Sequence, residues 1–331
     1  MAKNRVLLTG AGFSRNWGGL LASEITNQLI SAINNGPQAV ISEYYRQLAT
    51  GAGNYETILH EFQRSHAADP DNETSLECLA FIEKAIRNCF FEMDRVYEGK
   101  SPGINNCAQY NAEIFIANFD YFFTINQDLL IERLFINLFS GLLFRGTYKP
   151  LRNGTILPGI RVNINNFHQV FGIKNPQDLI IEIIDEPVNV ARESLGFLPY
   201  IKLHGSYNWQ TVSGGRLMIS GGNKGQQIPK SPLLSSYFNY FCDTIKSPDT
   251  LIVIIGYGFN DTHINSALLD ALDNGQTKLY IIDNRGLAAV RSAGLIASLE
   301  GKLYGISERT LNETFLDTNQ AKLLFQKLFS C

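Results

Sequence analysis

A chain of 331 residues, 45% apolar and 18% charged, has enough apolar material to fold by itself around a sizeable core, as one large domain or a domain with a sizeable insertion. Its net charge of −3 argues against a broad electrostatic footprint for nucleic acid or an acidic membrane surface. No stretch approaches the ~20 apolar residues of a membrane helix. The run Val6-Leu7-Leu8 after Lys3 and Arg5 is too short for a secretory leader, so the expected location is cytoplasmic. Five cysteines, Cys78, Cys89, Cys107, Cys242 and Cys331, lack short-range pairing and read as reduced core thiols, not as a disulfide framework or a zinc ribbon.

Val6 to Thr9 is a short apolar strand running into a glycine turn. After Gly19 the segment LLASEITNQLISAI sets Leu21, Ile25, Leu29 and Ile33 at a repeat of four, which predicts an amphipathic helix. From about residue 38 to about 118 the pattern is helical almost throughout (VISEYYRQL, YETILHEFQRS, TSLECLAFIEKAIRNCFFEMDRV, NCAQYNAEIFIANF), and Gly99-Lys100-Ser101-Pro102-Gly103 breaks it late. This block reads as a helical insertion or subdomain. Tyr121 to Asn126 (YFFTIN) is a strand ending in Gln127-Asp128, followed by helical LLIERLFINLF. Residues 140 to about 198, rich in glycine, asparagine and proline, read as an irregular small subdomain with one helix near Asp178 to Ile184.

YIKLHGSYNW (Tyr200 to Trp209) is strand-like and leads into polar, glycine-rich loops through Lys230, before a helix from Leu233 to Ile245. TLIVIIGYGFND holds the strongest buried strand, a continuous apolar run stopping at Gly256. Asp261 opens a helix, THINSALLDAL. KLYIIDN is a further strand, followed by a helix through Leu299 and a last strand at Lys302 to Gly305. Strands that end in polar or glycine residues and then enter helices predict a single α/β domain over residues 1–331, with a Rossmann-like parallel sheet, helices on both faces and ligands at the carboxyl ends of the strands.

The chemistry-bearing residues cluster at those ends. Gly10-Ala11-Gly12-Phe13-Ser14 is a turn of the kind that lets backbone approach a pyrophosphate, with helix-start amides to complement its charge. It lacks the third glycine and the later acidic residue of a dinucleotide fingerprint, so a mere tight turn is the plainer alternative. Asn126 and Asp128 offer an amide and a carboxylate for ribose hydroxyls or water, or else cap the next helix. Among the histidines, His60 and His66 lie in the helical block with structural roles, and His168 lies in the irregular segment. His204, after a strand and before Gly205, suits general-base work near neutrality. Gly256-Tyr257-Gly258 and Asp283 suit the adenosine half of a dinucleotide, or again serve as turn and cap. His263 reads as a packed partner of Asp261.

Taken together and in order, GAGFS (10–14), TINQD (124–128), His204-Gly205, Gly256-Tyr257-Gly258 and Ile282-Asp283-Asn284 resemble the sirtuin family. In particular, LLTGAGFS, KLHGSYNW and IGYGFNDTHIN resemble the sirtuin-like branch found in bacterial antiphage systems. The likeness covers about half the chain, and departs from protein deacylases in two ways. Only Cys242 and Cys331 follow His204, so the two CxxC pairs that bind structural zinc are missing and no metal is expected. Arg15-Asn16-Trp17-Gly18-Gly19 also replaces the usual continuation after GAGxS, which puts a peptide cleft in doubt.

The resemblance implies hydrolysis of NAD+ to nicotinamide and ADP-ribose. In that reading Asn126 orients ribose and water, His204 is the base, and Asp128 holds the loop or a ribose hydroxyl. Gly10, Ala11, Gly12, Phe13 and Ser14 cradle the diphosphate, and Gly256, Tyr257, Gly258 and Asp283 take the adenosine end. It also implies restraint until a trigger arrives, through homo-oligomerisation or a protein partner such as a HerA-type ATPase or another phage-sensing subunit, with the helical block as the contact surface. A zinc-less deacylase or ADP-ribosyltransferase, and an inactive NAD or ADP-ribose sensor, are the rival readings.

Overall fold

The computed structural model describes residues 4–50, 54–104, 107, 109–135, 155–160, 180–222, 224–291 and 293–329. The central sheet is all-parallel, with order β10 (Leu303–Ser307), β9 (Lys278–Ile282), β8 (Thr250–Ile255), β1 (Asn4–Thr9), β2 (Tyr121–Thr124) and β5 (Leu198–Lys202); the two-residue β3 (Thr155–Ile156) lies beside β5. Helices surround it, as expected of a Rossmann-like α/β fold. From β1 the chain builds outward through β2 and β5, then returns to the other flank of β1 with β8, β9 and β10. The order therefore reverses between β1 and β8, the place where open α/β sheets form a crevice at their carboxyl ends.

β8 explains why this crevice is stable: all six of its residues are buried, as a strand covered on both faces requires. One apolar core runs from Val6 to Leu328 and takes in the helical residues between β1 and β2. Helix Ala22–Asn34 buries Ile25, Leu29 and Ile33, each worth about 1.5–3 kcal/mol of transfer free energy. Leu21 sits at its N-cap and is exposed, so the buried repeat begins at Ile25, four residues later than the sequence suggests. Helices Gln38–Ala49, Tyr55–Ala68 and Glu73–Val96 follow, the long last one packing against the other three. Among the described residues no helix is long and apolar enough to cross a membrane.

Three expectations are corrected. The strand expected across YIKLHGSYNW is broken: β5 ends at Lys202, and β6 (Gly205–Thr211) enters a second sheet between β4 (Ile181–Ile183) and β7 (Arg216–Met218). The break lies at Leu203-His204, followed by Gly205 at φ 69°, where a Cβ would lie 2.0 Å from the Leu217 carbonyl oxygen. The helix expected near Asp178 to Ile184 is replaced over Ile181–Ile183 by β4, which gains a ladder partner in β6; positions 178 and 179 fall outside the described residues, as does His168. The helix expected through Leu299 is only Leu287–Arg291 plus a 3-10 turn at Ala297–Leu299, and helices Leu311–Leu316 and Thr318–Phe329 close the described chain.

Candidate functional site

A cleft of about 590 Å³ opens at the carboxyl ends of the parallel strands. Ala11, Gly12, Asn126, Asp128, His204, Gly256, Tyr257, Gly258 and Asp283, picked from the sequence, all line it. Gly10, Phe13 and Ser14 stand behind its wall. Phe13 packs into the core against Trp17 at 5.2 Å and Phe122 at 6.3 Å between ring centroids.

The glycines of the first and last motifs serve each other. The Gly10 amide donates to the Ile255 carbonyl and the Gly12 amide to the Gly256 carbonyl, both at 3.0 Å, while the Phe13 amide donates to Gly10 at 2.8 Å. Gly256 has φ 59°, and a Cβ on it would lie 2.3 Å from Gly12 C and Phe13 N. Close backbone contact across the β1/β8 switch point thus accounts for glycine here without any ligand. It also commits two of the amides that a phosphate would otherwise use, and the turn itself commits a third, that of Phe13.

Asn126 is not a helix cap. Its Nδ2 donates to the Gly10 carbonyl at 3.0 Å and to Ser14 Oγ at 2.9 Å, and its backbone amide donates to Thr124 Oγ1 at 3.0 Å. With both side-chain hydrogens committed, Oδ1 is the atom with which Asn126 meets the cleft, an acceptor for water or a hydroxyl. Asp128 is not the cap of helix Leu130–Leu134 either, a position held by Leu129, but its Oδ1 accepts from Leu130 N at 3.0 Å. Burial pushes its carboxyl upward, opposed by the Lys202 ammonium, the Leu130 amide and Ser14. Lys202 is fully buried, bonds the Asp128 carbonyl and pairs with Glu132 at 2.8 Å. Asp94, also fully buried, accepts from Leu129 N at 3.0 Å and is pushed up to about 7, first by desolvation.

The Gly205 turn sets His204 at the end of β5, buried, with its carbonyl accepting from Ile219 N at 2.8 Å. Its Nε2 lies 2.9 Å from Nε2 of His263. Burial lowers its pKa to about 3, against the pull of the Asp261 carboxylate, so the imidazole is neutral at physiological pH and, in the free protein, a weaker base than the near-neutral one expected from the sequence. Burial also lowers His263, again opposed by Asp261. Lys224 bridges Asp261 and Glu56, each at 2.8 Å, and these two carboxylates hold its ammonium above the ordinary range despite burial.

Sequence reasoning did not pick out Glu56 or Lys224. Both lie outside strand ends, and only the docking of the helical block brings Glu56 to the cleft. At the opposite end Asp283 forms a two-point pair with Arg285, at 3.0 and 3.1 Å, and accepts from the Arg285 amide at 2.9 Å. Tyr257 is turned inward, donating to the Asp261 carbonyl at 3.1 Å and Asn265 Oδ1 at 2.8 Å.

Fold and cleft define an α/β protein with a crevice of mixed apolar and polar lining at its topological switch point. No family model matches the chain, and no curated protein sequence matches it.

Proposed function

We propose that the chain is a sirtuin-like NAD+ glycohydrolase, the effector of a bacterial antiphage system. The reaction breaks the bond between ribose C1′ and the nicotinamide nitrogen and forms one between C1′ and water oxygen; nicotinamide leaves with the bonding pair, and one proton is released with ADP-ribose. Because the leaving group is a neutral molecule departing from a cation, positioning and exclusion of bulk water matter more than acid catalysis.

The observation that carries this reading is the convergence of Asn126 and His204 on one cleft, with Asp283 at the other end of the same crevice. Asn126 Oδ1 would accept from the attacking water or a ribose hydroxyl. His204, kept neutral by burial, would take the proton once substrate displaces His263 from its Nε2. Asp128 would hold the loop below Asn126, through its Oδ1 on the Leu130 amide, or a ribose hydroxyl. Ala11 and Gly12 would lie along the diphosphate, and Gly256, Gly258 and Asp283 near the adenosine.

Nicotinamide release from NAD+ by the purified chain, alone and with the products of neighbouring genes, tests the assignment. Asn126→Ala and His204→Ala should each lower kcat by roughly 100-fold. Unchanged turnover in both would sink the reading; NAD+ binding without consumption under every condition would favour a sensor, and dependence on an acyl-lysine peptide a deacylase.

A further inference from the structure

Three potential metal donors meet beside the reacting end of the cleft: one nitrogen each of His204 and His263 and a carboxylate oxygen of Asp261, all within 4.8 Å of one another. They belong to stiff parts of the fold. His204 lies in the turn between β5 and β6, while Asp261 and His263 sit at the N-cap and first turn of helix Thr262–Asn274. That turn is tied down by Tyr257 and by Asn265, whose Nδ2 donates to the Phe259 carbonyl at 2.8 Å. His263 packs at 5.6 Å from Phe238 between ring centroids. His204 and Asp261 line the cleft, which gives an ion a way in and leaves a coordination position facing it.

We infer that His204, His263 and Asp261 form a binding site for a divalent d-block cation such as Zn2+, open toward the cleft, and that the bound ion holds the enzyme off. Two imidazoles and one carboxylate are a borderline N/O donor set that favours Zn2+, Co2+ or Ni2+ over Mg2+ or Ca2+, which prefer oxygen shells. A tetrahedral ion with bonds of about 2.0–2.1 Å separates its donors by roughly 3.3 Å. The two Nε2 atoms, 2.9 Å apart, would thus open by only a few tenths of an ångström. Turning Asp261 toward the ion does not strand Lys224, which retains Glu56 at 2.8 Å. The binding part stands on these residues alone; the inhibitory part rests on the hydrolase reading, because metal on Nε2 removes the lone pair that His204 would use as base.

The test is a titration of the chelator-treated full chain with Zn2+ by calorimetry and with Co2+ by visible absorption. One equivalent should bind, with tetrahedral Co2+ bands and no competition from Mg2+. Loss of a direct ligand should weaken binding by roughly tenfold or more in both His263→Ala and Asp261→Asn. His263→Cys should keep Co2+ and add a thiolate-to-metal band, which separates ligation from a packing role. Absence of stoichiometric binding, or unchanged binding in both His263→Ala and Asp261→Asn, overturns the site. Nicotinamide release that persists with Zn2+ bound overturns the inhibitory part. A chelated protein inactive under every condition counts against the hydrolase reading, and the metal titrations still decide the site.

Discussion

Asn126 and His204 reach one cleft from neighbouring strands, β2 and β5, but are held in unlike ways. Asn126 is fixed by a backbone carbonyl and a neutral hydroxyl, above a floor whose buried ion pair, Lys202 and Glu132, is closed to solvent. His204 is held by another titratable ring, next to Asp261 and Lys224 on the cleft wall. Hydrogen bonds to backbone and neutral groups have one good arrangement and little reason to change. A partner that can lose a proton, move or take a metal gives His204 more than one. The Asn126 side therefore has one arrangement, and the His204 side has more than one within reach.

The largest expected effect strikes the floor. Lys202→Met leaves Glu132 buried without its cation and should cost about 3–5 kcal/mol in urea unfolding, with most of it regained in Lys202→Met/Glu132→Leu. Full stability in the single variant would show that water reaches the floor and would undo the contrast.

Next is Asp94. Its folded pKa, raised to about 7, makes its contribution to stability complete below the unfolded value near 4 and progressively lost as pH rises through 7. Wild type should therefore lose about 2 kcal/mol relative to Asp94→Asn between about pH 5 and pH 8, read from paired denaturation curves.

Ser14→Ala frees one side-chain hydrogen of Asn126 and should lower kcat for nicotinamide release about tenfold with little change in KM, the pattern of lost aim. The smallest effect belongs to the His204 side. With its pKa lowered to about 3, His204 stays neutral, so kcat/KM should show no acid limb from this ring between about pH 5 and pH 8. A limb near 6.5 would mean that the ring is solvated in the free protein.

Much of this was legible in the chain itself. The β8 run Thr250–Ile255 and the spacing of Ile25, Leu29 and Ile33 specify their elements, because continuous burial and a 3.6-residue period leave few alternatives. Asn126, His204 and Asp283 were found because residues at strand ends of a parallel sheet converge by topology. The Leu203-His204 break was not found, because the positive φ of Gly205 and its close approach to Leu217 arise only when the next strand, β7, folds back along β6. Nor were Glu56 and Lys224, which meet Asp261 through packing between segments far apart in sequence.

By itself, then, the sequence determined the order of strands and helices and the polar residues at strand ends, since hydrophobic period and local turn chemistry act over short range. Only the tertiary structure decided what those residues do to one another. Gly256 closes on Gly12, Asn126 reaches Ser14, and His263 faces His204, because contacts and desolvation depend on which distant surfaces meet.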